Sequence, residues 1–282
     1  MILSYGQMLV TAALLVMVFL GTTSSDMLLN ISGSLRHLPS NCVEAVRLEG
    51  SEAKSGIYQI QLPLKGWEDR PFYVYCLLDH KDGDPWLLVQ RRQDRFIDFN
   101  RNWTDYKIGF GNLATSFFIG LDKLHALTQV QINELQIKLR DFNDAVKYAN
   151  YDNFAVGDES GKYPLNILGK YSGSAGDSLL EHHSGQKFST YDQDNDNSSS
   201  NCAQTFKGGW WFRNCLNSNL NGKYLKSTDE EQRKGLIWFS WHGFSKSLKY
   251  AHMAIRPKDS AKMRIRGIRM RTSKGQLKSH QN

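Results

Sequence analysis

Three aspartates at alternate positions, Asp192, Asp194 and Asp196, fall in the run YDQDNDNSSSNC from Tyr191 to Cys202. Carboxylates spaced this way do one of two things. With backbone carbonyls they wrap a hard cation such as calcium, which takes about six to eight oxygen ligands. Alone, they bond the backbone two residues on and form a solvated Asx turn. An EF-hand is excluded. Counted from Asp192, the glycine position of that loop holds Asn197 and the bidentate-glutamate position holds Ala203.

Other chemistry is thin. The sequence has no HExxH and no GxSxG. Gly157-Asp-Glu-Ser-Gly161-Lys162 is one residue short of a P-loop, with Tyr163 where Ser or Thr is needed. His182 and His183 are adjacent, and on a strand adjacent side chains point apart. They are expected to pack or hydrogen-bond rather than share a metal. No nucleophile is paired with a base, so no enzyme is expected.

The chain has 282 residues, 40% of them hydrophobic and 12% aromatic, enough for one large globular domain or two small ones. Met8 to Leu20 is a 13-residue apolar run followed by Thr22-Thr-Ser-Ser25. This is the h-region length and small-residue exit of a secretory signal peptide, with residues 1–25 removed, and it is too short to span a bilayer. No later segment is long and apolar enough to do so. In a secreted chain the four cysteines, Cys42, Cys76, Cys202 and Cys215, imply two disulfides. Three pairings are possible, of which the sequential one closes the shortest loops. No CxxC pair suggests zinc. Three sequons begin at Asn30, Asn102 and Asn197. The net charge of +7 is a property of the C-terminus: residues 256–282 hold nine Lys or Arg and one acid, and the remainder is near neutral. Such a tail suits a solvated segment or contact with anionic surfaces, and carries no sign of a nucleic-acid fold.

The elements that must hold the aspartate run read as α+β. Residues 26–38 are short and polar, with neither heptads nor Gly-X-Y repeats. From Cys42 the pattern is strand-like, with strands over Gly56–Ile60, Pro71–Cys76 and Trp86–Gln90. Leu121, Leu124 and Leu127 predict a helix over 121–128. Leu135–Leu139 alternates as a half-buried strand, and Tyr148–Tyr151 and Phe154–Val156 continue the β pattern. From Gly157 to Tyr224, Gly, Asp, Asn and Ser predominate and predict loops, which at this length are usually functional. Antiparallel strands therefore come first and an irregular lobe follows.

Motifs spread along the chain are similar to one family. Phe188-Ser-Thr-Tyr-Asp-Gln-Asp-Asn-Asp196, Asn201-Cys-Ala203, Gly208-Gly-Trp-Trp-Phe212, Asn214-Cys215 and Ser218–Tyr224 carry the likeness in the second half. Cys42, Gly56-Ile-Tyr58, Val74-Tyr-Cys76, Val89-Gln-Arg-Arg92, Trp103, Gly120–Thr128, Tyr171–Leu179 and Met253–Pro257 carry it elsewhere. Over residues 39–258 the sequence resembles the fibrinogen C-terminal (fibrinogen-related) domain, leaving 259–282 as a basic tail. The resemblance implies an N-terminal piece, a central antiparallel sheet and a loop-rich calcium-binding lobe, with disulfides Cys42–Cys76 and Cys202–Cys215. It implies calcium held by the side chains of Asp194 and Asp196 and the carbonyls of Ser198 and Ser200. Asp192 then stands outside the ligand set.

Ficolin- and tachylectin-like members bind acetylated sugars beside the calcium, at a cis peptide before the second lobe cysteine. Here that bond is Asn214–Cys215. The rest of the pocket departs from their pattern: Leu216 replaces a histidine, Phe206 and Phe244 replace tyrosines, and Gln232 replaces an aromatic. A sugar deprived of these hydrogen bonds binds more weakly, by about 1–1.5 kcal/mol for each. The expected role is a secreted recognition module, innate-immune and lectin-like. Its expected partners are extracellular glycans, N-acetylated ones included, or a cell-surface protein, with avidity from self-association. The alternative is an angiopoietin-like ligand that binds a cell-surface receptor through an apolar pocket.

Overall fold

The computed structural model describes residues 38–78, 83–225, 231 and 233–258. The expected signal peptide, nearly all of the segment 26–38, Asn30, Gln232 and the tail 259–282 lie outside these residues. Cys42, where a strand-like pattern was expected, instead opens helix α1 (Cys42–Glu49). The cause is local. Asn41 accepts from the Glu44 N–H at 3.0 Å, and the Glu44 carboxylate reaches back to the Ser40 N–H at 2.8 Å. This reciprocal capping satisfies donors that a helix start leaves open.

The central sheet is antiparallel. Its path runs β1 (Gly56–Ile60), β2 (Phe72–Leu77), β3 (Trp86–Arg92), β12 (Tyr250–Pro257), β6 (Asn133–Arg140), β7 (Val146–Ala155) and β8 (Ile167–Leu168). Short strands β4 (Phe110–Gly111), β5 (Phe117–Phe118) and β9 (Tyr171–Gly173) pair at its margins. The fold class is the expected α+β, but the order of assembly differs from the sequence reading. Strand β12 follows the lobe in the chain and lies between β3 and β6, in the middle of the sheet. Leu135, Ile137, Leu139, Ala251, Met253 and Ile255 turn to one face and are buried. Helix α3 (Leu121–Val130) packs near β7 and buries Leu121, Leu124 and Leu127, as their spacing predicts. Helix α2 (Trp103–Ile108) starts at Asn102, whose side chain accepts from the Asp105 N–H.

Residues 157–249 form the irregular lobe. Its elements are β8, β9, α4 (Leu180–His183), α5 (Cys202–Phe206), β10 (Ser218–Asn219), β11 (Ile237–Trp238) and α6 (Phe239–His242). So little regular structure leaves many backbone groups to be satisfied by side chains. Trp211 Nε1 donates to the Tyr163 carbonyl at 2.8 Å and Trp238 Nε1 to that of Gly176 at 2.9 Å. Strand β3 reaches under the lobe. Gln90 Nε2 donates to the Leu220 carbonyl and Asn221 Oδ1, and the Arg92 guanidinium to the carbonyls of Leu220 and Gly222. Both side chains are buried, and the Arg92 guanidinium lies 3.8 Å from the Phe99 ring centre. Two disulfides, Cys42–Cys76 and Cys202–Cys215, use all four cysteines, in the sequential pairing.

Candidate calcium loop and adjoining pocket

The aspartate run folds as a series of turns, each closed two residues on. Asp194 Oδ1 accepts from the Asp196 N–H at 3.2 Å, Asp196 Oδ1 from the Ser198 N–H at 2.8 Å, and Ser198 Oγ from the Ser200 N–H at 3.3 Å. These are the Asx turns that the residue types favour. The other Asp196 oxygen accepts from the Cys202 N–H at 2.9 Å, at the start of α5. Asp192 faces elsewhere. It takes the Trp103 N–H at 2.9 Å and the Thr190 hydroxyl at 2.7 Å, and so ties the loop to the first turn of α2.

These residues fit a hard cation. Two carboxylates lie side by side, and among the described residues neither has an ion-pair partner. Burial pushes the Asp196 carboxyl above the usual range, and the neighbouring Asp194 adds to this against the downward pull of the Cys202 and Ser198 N–H groups. A divalent ion relieves such like-charge crowding. Among the described residues the carbonyls of Ser198 and Ser200 accept no hydrogen bond and are available as further oxygen donors. The donor set is all oxygen, as calcium prefers, and no three His, Cys, Asp or Glu side chains converge anywhere in the described residues.

The loop is held from three sides. Asn201 caps α5 through the Gln204 N–H and donates to the Thr190 carbonyl, bridging the two ends of the run. The Cys202–Cys215 bond joins α5 to the segment after Phe212. Ser189 and Trp210 exchange backbone hydrogen bonds, and the Asn197 N–H donates to the Arg213 carbonyl. Gly208 allows this segment to run close to its neighbour, since a Cβ there would sit 2.3 Å from the Asn221 carbonyl oxygen. Asn195 donates to the Phe188 carbonyl at 2.7 Å. Its role is invisible in the sequence, where it reads as one more turn residue.

The expected pocket residues take varied places. Asn214–Cys215 is a cis peptide, Asn214 is exposed and Cys215 is half-buried. Leu216 is buried in the lobe core. Phe206 ends α5 with its ring 6.3 Å from that of Phe212. Phe244 follows α6, its ring 4.7 Å from exposed Phe239 and under the Arg233 guanidinium at 4.3 Å. The β10–β11 pair and the Phe239 N–H to Asn217 carbonyl bond bring α6 back to the strand that follows Leu216. Phe206 and Phe244 thus belong to separate ring pairs.

The histidine pair lies on helix α4, which corrects the strand geometry assumed from sequence, and the two rings meet edge to face at 5.0 Å. His183 is a buried hydrogen-bonding residue. One ring nitrogen bonds the Trp211 carbonyl at 2.7 Å, and the other accepts from the N–H groups of Asn217 and Ser218 at 3.1 and 3.0 Å. The neutral ring alone can do this, and burial lowers its pKa to about 3. His183 therefore positions the pocket strand. Of the sequon asparagines, Asn102 caps α2 and Asn197 is exposed beside the aspartates.

Residues 38–258 match the family described as fibrinogen beta and gamma chains, C-terminal globular domain. Fibrinogen C domain-containing protein 1 of Mus musculus is 45% identical over 191 residues, which are 66% of this chain and 41% of that protein. Tenascin-R of Gallus gallus is 42% identical over 219 residues, 78% of this chain and 15% of that protein. The chain thus spans less than half the length of either relative. The fibrinogen-like globe domain of human ANGPTL2 superposes with a TM-score of 0.72 at 36% identity, covering 78% of this chain and 99% of that one.

Proposed function

The chain belongs to the family of fibrinogen C-terminal globular domains, and from that premise we propose that it is a secreted, calcium-binding recognition module. It binds extracellular carbohydrate or protein ligands and performs no catalysis. The observation that carries this reading is the Asp194–Asp196 pair: two adjoining carboxylates without a cationic partner among the described residues, flanked by two carbonyls without donors. Asp194, Asp196, Ser198 and Ser200 hold the ion, which supplies positive charge and braces the loop against α5. Secretion is supported by the two disulfides, which persist in oxidising compartments. Glycans on Asn102 and Asn197 fit the same compartment.

The test is a pair of measurements on the full chain. Thermal unfolding with calcium and with chelator should differ, since a ligand at a hundredfold excess over its Kd stabilises by about 2.7 kcal/mol. Equal transitions would remove the calcium reading. A glycan array run under both conditions should then show calcium-dependent retention on N-acetylated sugars. Failure there, with the calcium shift intact, would remove the sugar and leave a protein ligand.

The apolar side of the site favours that second outcome. The exposed Phe239 and its neighbour Phe244 under Arg233 suit a side chain of a protein partner. In this reading the module is a signalling ligand for a cell-surface receptor. Capture from cell-surface extracts that survives excess acetylated sugar would support it. A single weak site gains from self-association, and sedimentation of the full chain measures whether copies associate.

A further inference from the structure

On the sheet face opposite the buried aliphatic residues, the middle of β12 carries His252, flanked in register by Arg91 of β3 and Lys138 of β6. The residue is 1% exposed. One ring nitrogen, Nδ1, lies 2.9 Å from the Tyr250 hydroxyl. The other, Nε2, is buried and has no hydrogen-bond partner. A buried polar atom of this kind carries the full cost of its desolvation unless something pairs with it.

Its partners in register are positive, and aromatic rings lie beside them. Arg91 lies over the Tyr75 ring at 4.6 Å, Lys138 over Tyr148 at 5.7 Å and Arg140 over Tyr250 at 5.4 Å. Arg91 is buried and donates to the carbonyls of Thr115 and Leu113. Among the described residues neither Arg91 nor Lys138 has a carboxylate partner. The acids on this face are engaged elsewhere: Asp144 at its rim lies 3.9 Å from Arg140 and 2.7 Å from Lys249, and Glu134 lies 3.4 Å from Arg256. When the Tyr250 hydroxyl donates to Nδ1, the ring proton sits on Nε2. That nitrogen is then a buried donor set between two cations, with no acceptor.

We propose that this spot is a binding site for a tetrahedral oxyanion, sulfate or phosphate, held by His252 Nε2, the Lys138 ammonium and the Arg91 guanidinium. Only a ligand that is both anionic and rich in acceptors answers all three groups at once. The aromatic rings around it exclude water and strengthen the attraction. Lys138 is half-exposed and rests on Tyr148 by a weak cation–π contact, so its rotation opens the spot without backbone movement. Burial, Lys138 and Arg91 all depress the His252 pKa, to about 3, so the ring is neutral when the anion arrives.

The site is separate from the calcium loop and is tested without it. Sodium sulfate is titrated into the full chain against sodium chloride at equal ionic strength, and the histidine ring signals are followed by NMR, with His252 assigned through His252→Gln. The His252 signals should move saturably with sulfate and stay still with chloride. Lys138→Gln, at a half-exposed position, should weaken sulfate roughly tenfold or more. His252 signals that ignore sulfate, or an affinity unchanged in Lys138→Gln, would overturn the proposal. Methyl sulfate distinguishes the source. Equal binding identifies a terminal ester of a larger molecule, and rejection of methyl sulfate with binding of sulfate identifies the free ion.

Discussion

Each aspartate in the run does a different job, because the loop aims them differently. Asp194 and Asp196 adjoin, while Asp192 holds the Trp103 N–H on another element. Asp194→Ala or Asp196→Ala should therefore abolish the gain in melting temperature that calcium gives. Asp192→Ala should keep that gain while lowering stability by about 1–2 kcal/mol in chelator and calcium alike, for the two hydrogen bonds it accepts from the Trp103 N–H and the Thr190 hydroxyl. Calorimetry on the three variants separates the two effects, and equal loss of the calcium response in all three would show that Asp192 is a ligand too.

Among elements, β3 links the sheet to the lobe. Arg92 Nη1 donates to the carbonyls of Leu220 and Gly222, and burial lowers its pKa only to about 10, so it stays charged. Arg92→Ala should cost about 2–5 kcal/mol by urea denaturation, because it takes this donor from the Gly222 carbonyl and leaves a buried space beside the Phe99 ring. Arg92→Lys should recover only part of this, since an ammonium does not reproduce the flat guanidinium stacked on the Phe99 ring; full recovery would mean that charge alone matters. This grip was not legible in the sequence. Strands β1, β2, β3 and β6 and helix α3 were readable, because their apolar spacing is local. Helix α1 was not legible, because its deciding bonds come from Ser40, Asn41 and Glu44, not from its apolar pattern. The aspartate run was readable as a set of residue types. Its orientation was not, since it depends on the bonds of Asn195 to Phe188 and of Asn201 to Thr190, which span seven and eleven residues. The likeness to a family supplied the pocket positions, which no local pattern marks.

Across the whole molecule, two buried neutral histidines set the response to acid. His183 and His252 both titrate at about 3 in the native state against an ordinary value of 6.5. The unfolded chain therefore binds more protons between those limits. The stability tied to each ring is complete above pH 6.5 and falls as pH drops toward 3, by up to about 1.4 kcal/mol per unit for each ring. Urea midpoints measured in chelator from pH 7 to pH 4 should decline, and His183→Gln should start lower and decline less steeply. An unchanged slope would mean that the His183 ring is protonated in the folded protein.

Strand β12 lies between β3 and β6 although more than 90 residues separate it from β7 in the chain. During synthesis, then, the two halves of the sheet leave the ribosome well before the strand that joins them, and each waits with an unpaired edge. A message cut short between Ala155 and Tyr250 yields no smaller working protein, only two half-sheets with edges open to pairing with other nascent chains.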